Sequence, residues 1–324
     1  MPEPYDSLYN RILDATALIH MPVKVFTMVI VFRHTPPNMR YSSLFLINGL
    51  IWNFAANIIF TFVHVYPQFP AECFRIEGIL GSVNNELLAH VLFLLILACV
   101  INCILALTMT FAYRYFLFLY SSYMKPRNSF IIGGVIHATA IVVTVIIYFY
   151  WMIMVDKYPD DELPEFPRSV FCFKPYGWEK TLAVFAFLAA VGLAVFAALL
   201  FTFLLLRNIA NEEGKMHKKK LDNHRRILIT LISITTIPFV FAALPLVIIV
   251  ATIYEPHLPF AKEIFVICIV ILANHGTLYA IALIIALKPY RQAIKSVILK
   301  MFGVKPINSS VVSKAFFTTR ITMG

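Results

Sequence analysis

The chain has 324 residues, 60% of them hydrophobic and 14% charged, with a mean hydropathy of +0.81, well beyond the roughly 45–50% apolar content of soluble domains. Its net charge of +10 does not point to nucleic acid, because the basic residues sit between long apolar runs and form no stripe interleaved with aromatics. Five cysteines, Cys73, Cys99, Cys103, Cys172 and Cys268, are too few and too scattered for a disulfide scaffold or a zinc module.

The N-terminus opens with Glu3 and Asp6, lacks a basic n-region and has no small-residue cleavage site, so the first apolar run is expected to be both targeting signal and span. Seven runs are long enough to cross about 30 Å of hydrocarbon as α-helices. They are placed near 12–32, 42–66, 85–113, 130–155, 179–206, 226–254 and 262–287. The first carries Asp14, His20 and Lys24; Asp14 suits an interface, and Lys24 can snorkel or face the bundle. The predicted fold class is therefore an all-α membrane protein, a seven-transmembrane helix bundle over residues 1–303.

Pro22 falls in the first span, and Pro238 and Pro245 in the sixth. Each removes a backbone hydrogen bond, giving either a hinge or a fixed kink. At the inner end of the third span, Tyr113-Arg114-Tyr115 offers a guanidinium that serves as a positive-inside anchor or as a contact for a partner carboxylate. Asn53, Asn57, His90, Asn102, His137, Thr139, Thr235, Thr236, Asn274, His275 and Thr277 lie at membrane depth. Each is expected to face the bundle interior, as interhelical glue or as cavity lining. The segment Asp156–Lys180 is acidic and proline-bearing and reads as a solvated loop. After Pro289, Ile294, Val297, Ile298, Met301 and Phe302 fall on one face, the spacing of a short amphipathic helix near 290–302 lying on the membrane surface. The tail, 304–324, is Ser/Thr-rich and reads as flexible.

Lysine and arginine counts orient the chain. Segments 33–41, 114–129, 207–226 and 288–324 hold 19 of the 27 Lys/Arg and 3 of the 17 Asp/Glu; the opposite set holds the remaining 8 and 14. The expected topology has the N-terminus outside and the C-terminus in the cytoplasm. Cys73 and Cys172 then lie in the first and second outer loops, on the oxidising side, where a disulfide would tether the acidic loop over the bundle mouth. The basic cluster Lys215–Arg226 suits the anionic inner leaflet or an acidic partner, or serves as a topology signal alone.

Neither a nucleophile–base constellation, a glycine-rich phosphate loop nor a histidine pair with metal-ligand spacing is apparent. The chain is read as a non-enzyme without a cofactor or metal. The seventh span has no mid-membrane lysine of the kind a retinal Schiff base requires. With no internal repeat, an inverted-repeat transporter is disfavoured.

These features together resemble a G-protein-coupled receptor, and more specifically the nematode serpentine chemoreceptors of the Str/Srh superfamily. The likeness rests on His34-Thr35-Pro36-Pro37-Asn38-Met39 between the first two spans, the outer-loop Pro67 and Pro70, and Ile237-Pro238 after a basic stretch. Its most specific part is Asn274-His275-Gly276-Thr277 running on to Lys288-Pro289-Tyr290-Arg291. Two departures stand out: Tyr113 takes the place of the acidic residue before the third-helix arginine of rhodopsin-type receptors, and their Asn-Pro-x-x-Tyr run is missing.

The resemblance implies an odorant or pheromone-like small molecule, a heterotrimeric G protein and the ciliary membrane of sensory neurons; it leaves a dimer open. The cytoplasmic contact is then expected at Arg114, Lys125, Arg127, Lys218, Lys219, Lys220, Arg225, Arg226, Tyr290 and Arg291. A ligand pocket is expected near Glu86, His90, Trp178 and His275, the polar and aromatic groups toward the outer half of the bundle. The competing classes are a seven-helix ligand-gated channel of the insect type, which places its N-terminus inside, and a small-molecule transporter.

Overall fold

The computed structural model describes residues 4–36, 39–120, 126–159, 169–211 and 218–301, with the backbone alone at 4–7, 126, 218–224, 227 and 300–301. Seven helices among the described residues are long and apolar enough to cross a membrane, and the protein is a multi-pass membrane protein. They are α1 (Pro4–His34), α2 (Arg40–Phe62), α3 (Glu86–Leu119), α4 (Pro126–Trp151), α5 (Trp178–Asn211), a sixth span of α6 (Lys218–Pro238) continued by α7 (Leu244–Tyr254), and α8 (Ala261–Ala286). A shorter α9 (Lys288–Met301) follows. Leu18, Phe32, Leu193 and Phe203 stay exposed, as side chains do whose solvent is lipid rather than water. Half of the α8 window is buried against 17% for α4 and α5, so α8 is central and the α4–α5 side peripheral.

Local chemistry sets the helix ends. Asn85 caps α3 by accepting the Leu88 N–H at 3.0 Å, with Glu86 in the first turn, where a carboxylate complements the helix dipole. Between Pro238 and Pro245 the sixth span is wound as a π-helix, Phe239–Ala243. Two prolines seven residues apart each free a carbonyl one turn back, and the wider winding absorbs the mismatch.

The apolar runs do not end where the helices do. Val63 caps α2 and residues 64–66 leave the second span because they enter strand β1 (His64–Pro67), and Met152–Ile153 leave the fourth as β3. With β2 (Cys73–Glu77) and β4 (Val170–Phe173) they form an antiparallel sheet in the order β1-β2-β4-β3. The segment Asp156–Lys180 is thus not uniformly solvated: all four residues of β4 are buried, while residues 160–168 lie outside the described ones. Phe74, Phe171 and Phe173 press against Phe93, Tyr148 and Trp151 beneath the sheet, forming a continuous aromatic layer. The third span runs six residues beyond its expected end, through Phe116 to Leu119, which sets Arg114 inside the helix.

Cys73 and Cys172 face one another in the β2–β4 register and are disulfide-bonded across 99 residues of sequence. Cross-linking so long a loop restricts the unfolded chain, for about 2–4 kcal/mol of stability. Cys73→Ser and Cys172→Ser are each expected to lower the thermal midpoint of the purified protein and its surface level, and the double variant to match either single one. Additive losses in the double variant would show that the thiols act separately.

At the opposite end, α9 lies against the bundle through Tyr290 and Ala293, with Ile294 and Val297 half-buried and Ile298 exposed. Phe302 lies outside the described residues.

Candidate functional site

The bundle interior holds a polar core that joins three helices. Lys24 on α1 is fully buried and hydrogen-bonds the Asn53 amide oxygen on α2 at 2.5 Å. The Asn53 amide nitrogen donates at 3.0 Å to Nε2 of His275 on α8. His275 Nδ1 donates to the Leu272 carbonyl, which fixes the neutral tautomer with Nε2 as acceptor. Asn57 adds a bond to the Ala273 carbonyl at 2.9 Å. Gly276 makes the junction sterically possible, since Asn53 occupies the space a β-carbon would need, 1.8 Å from its Oδ1. Among the described residues no carboxylate lies within ion-pair distance of Lys24.

A second set joins α2, α3 and α4: Asn48 to His137 Nε2 at 2.8 Å, and His137 Nδ1 to Asn102 Oδ1 at 2.5 Å. Asn274 bonds its own helix at the Val270 carbonyl. Buried amides and imidazoles in lipid need such partners, and here they are found mostly across helices.

Two cavities open inside the bundle. The first, about 210 Å³, is lined by Asn53, Cys103, Thr235, His275 and Tyr279. The second, about 650 Å³, lies toward the sheet between α3, α4, α5, α7 and α8 and is walled mainly by aliphatic and aromatic side chains. They share Phe60, Val100, Thr108, Ala194, Leu246 and Leu272.

The four residues expected to form one ligand pocket are not brought together. Glu86 accepts the Val155 N–H at 2.7 Å and stands 3.8 Å from His90 Nε2. His90 is buried under the sheet, its Nδ1 2.8 Å from the Tyr148 hydroxyl, and packs on Phe171 and Phe173. These two act in loop and sheet attachment. Trp178 is 63% exposed at the start of α5, against Tyr150. Of the four, only His275 lines either of these two cavities. Lys24, which completes the polar core, is a residue for which sequence offered two placements.

The expected cytoplasmic contacts lie at the end away from the sheet. Tyr113 stacks on Phe45 of α2 at 4.5 Å and Tyr115 packs on Phe201 of α5, so the flanking aromatics splay to either side of Arg114. Arg114 lines a hollow with Leu205, Ile209, Leu228 and Leu231, where α3, α5 and α6 meet. Its Nε is buried without an acceptor among the described residues. Tyr290 is fully buried, 3.0 Å from the Thr35 hydroxyl. Burial pushes its phenol above the usual tyrosine range, while hydrogen bonds to Thr35 and Ser43 and the nearby Arg114 charge oppose the shift. Arg127, Arg225, Arg226 and Arg291 are exposed. Lys125 lies outside the described residues, as do the side chains of Lys218, Lys219 and Lys220.

A search of curated proteins finds no match. Among solved structures, the crystal structure of squid rhodopsin is similar at a TM-score of 0.62, covering 94% of this chain and 89% of that one at 11% identity, a likeness of fold alone. The family described as serpentine type 7TM GPCR chemoreceptor Srh matches residues 5–300. Aromatic-flanked Arg114, the kinked sixth span and the Asn-His-Gly-Thr run against Asn53 are thus features of a chain that belongs to the Srh family of serpentine seven-transmembrane chemoreceptors.

Proposed function

We propose that this receptor binds an odorant or pheromone-like small molecule from outside the cell and activates a heterotrimeric G protein within it. In this reading the sheet end is extracellular, the Arg114 end is cytoplasmic, and the protein resides in the plasma membrane of the sensory cilium. The observation that carries the reading is the set of two adjoining internal cavities, the larger toward the sheet, and a guanidinium hollow at the opposite end, all three lined by a sixth span that is broken at Pro238.

A ligand shifts such a bundle only through its differential affinity for the active arrangement. The π-wound segment Phe239–Ala243 lets α6 swing while α7 stays packed. Such a swing opens the hollow around Arg114, whose side chain and the exposed Arg225, Arg226 and Arg291 then meet the partner's acidic surface. Lys218, Lys219 and Lys220 are proposed to join that contact.

The test is guanine-nucleotide exchange on a reconstituted G protein, driven by receptor in nanodiscs. Arg114→Ala is expected to lower exchange at least tenfold at unchanged surface level, and charge reversal of Lys218–Lys220 to weaken it severalfold, more at low salt than at high. Exchange unaffected by both variants would remove the coupling assignment.

A further inference from the structure

The smaller cavity adjoins the polar core and has a chemistry of its own. At about 210 Å³ it lies just under the range of drug-sized sites, about 300–1,000 Å³, so it suits a short molecule. Among the described residues no charged side chain lines it. His275 on its wall is neutral, with Nδ1 on the Leu272 carbonyl and Nε2 on the Asn53 amide. Leu199 of α5 and Phe239 of the sixth span line the cavity and are also exposed on the outside of the bundle, so this wall borders lipid.

The hydroxyl protons of the threonines on the wall are committed. Thr108, Thr110, Thr202, Thr235 and Thr236 each donate to the carbonyl four residues back, at 2.7–3.1 Å, and Cys103 turns its S–H to the Gly49 carbonyl at 3.7 Å. Tyr279 and Asn57, which also line the cavity, are different. Tyr279 is only 8% exposed, in the packed cluster with Leu50 and Leu283, and its hydroxyl has no hydrogen-bond partner among the described residues. Asn57 gives its amide N–H to the Ala273 carbonyl at 2.9 Å, which fixes the amide's orientation and leaves Oδ1 without a donor among the described residues. Neither atom is sealed in by protein, in contrast to Thr277 Oγ1 on α8. The phenol both donates and accepts, whereas the amide oxygen only accepts. A buried polar atom left unpaired is costly, so the cavity favours an occupant that serves both.

We infer that the smaller cavity is a binding site for a short, neutral molecule that both accepts and donates hydrogen bonds, an alcohol or a diol, taking the proton of the Tyr279 hydroxyl and giving its own to Asn57 Oδ1. This rests on the receptor reading above and names the ligand class for it. A ketone serves the phenol and leaves the amide oxygen unpaired; an alkane serves neither. An ammonium would enter beside Lys24, and a carboxylate cannot touch that lysine, which is fully buried behind Asn53. Either ion gives up its hydration with too little to replace it.

The experiment uses the full chain in phosphatidylcholine nanodiscs with chain-matched probes: 1-heptanol, 2-heptanone, heptane, heptylammonium and heptanoate. Heptanol is expected to bind saturably at one per receptor, about three- to tenfold tighter than heptanone at equal mole fraction in the bilayer, the worth of one hydrogen bond, with heptane weaker again. The two ions are expected not to compete at neutral pH. Tyr279→Phe should weaken heptanol and heptanone about three- to tenfold and leave heptane binding intact; Asn57→Leu should remove only the alcohol's lead over the ketone. Ala198→Phe fills this cavity and should abolish binding of all three, while Ala186→Phe, on the wall of the larger cavity alone, should not. Equal binding of heptanol and heptane would mean that water serves both atoms and would overturn the site. So would an unchanged heptanol affinity in Tyr279→Phe, loss of heptanol in Ala186→Phe but not in Ala198→Phe, or tighter binding of either ion. Should a variant lose heptane binding as well, the order of alcohol, ketone and alkane on the unaltered chain still decides. Ligand-independent nucleotide exchange in the same discs reports on the receptor reading separately, since it requires no probe.

Discussion

Gly276→Ala is expected to destabilise the receptor by about 2–5 kcal/mol, combining an overpacking cost with the weakening of the buried hydrogen bonds of Asn53. The added β-carbon would sit 1.8 Å from Asn53 Oδ1, 2.4 Å from its Cγ and 2.6 Å from its Nδ2. A free asparagine could rotate aside, but this one is held from two directions, by Lys24 on its oxygen and His275 on its nitrogen. Either the amide leaves both partners or α8 backs away from α2. Cys99 and Cys268 are buried, so labelling by a thiol-reactive dye during heating reads out unfolding directly. Since the clash is with the amide itself, adding Asn53→Ala to Gly276→Ala should cost far less than Asn53→Ala costs alone. Full additivity of the two would mean that the glycine is needed for another reason.

What the sequence made legible and what it hid follow from the length scale of each signal. Membrane spans are long, and residues such as those from Thr181 to Leu206 carry no charge, so the seven helices were readable along with α9. The sheet was not, because its strands are short and continue apolar runs already assigned to helices: Val63, Val65 and Tyr66 read as the end of a span and are instead buried at β1. A signal was present in Cys73-Phe-Arg-Ile-Glu, whose alternation puts Phe74 and Ile76 on one face. The candidate pocket misled because depth along a helix says nothing of which way a side chain faces. His90 and His275 are both buried, yet one holds the sheet and the other lines a cavity.

Lys24 and Asn53 make the sharpest test of the polar core, because the two halves of the pair are expected to respond with opposite sign. Asn53→Ala leaves the buried lysine without the acceptor at 2.5 Å and frees His275 Nε2; leaving a buried donor without its acceptor costs about 1–3 kcal/mol. Lys24→Met replaces the amine with an apolar chain of similar length and removes its desolvation burden, which offsets the donor lost to Asn53, so stability is expected to hold or rise. The double variant should regain most of what Asn53→Ala loses, and the same dye assay on buried Cys99 and Cys268 measures all three. In this structure Lys24 ties α1 to α2, and through Asn53 to α8, a link that a shift of these helices would break. Lys24→Met is therefore expected to leave a well-folded receptor whose ligand-independent nucleotide exchange has changed by severalfold. A Lys24→Met receptor that is destabilised, with normal exchange, would make the core a structural support and place the switch elsewhere.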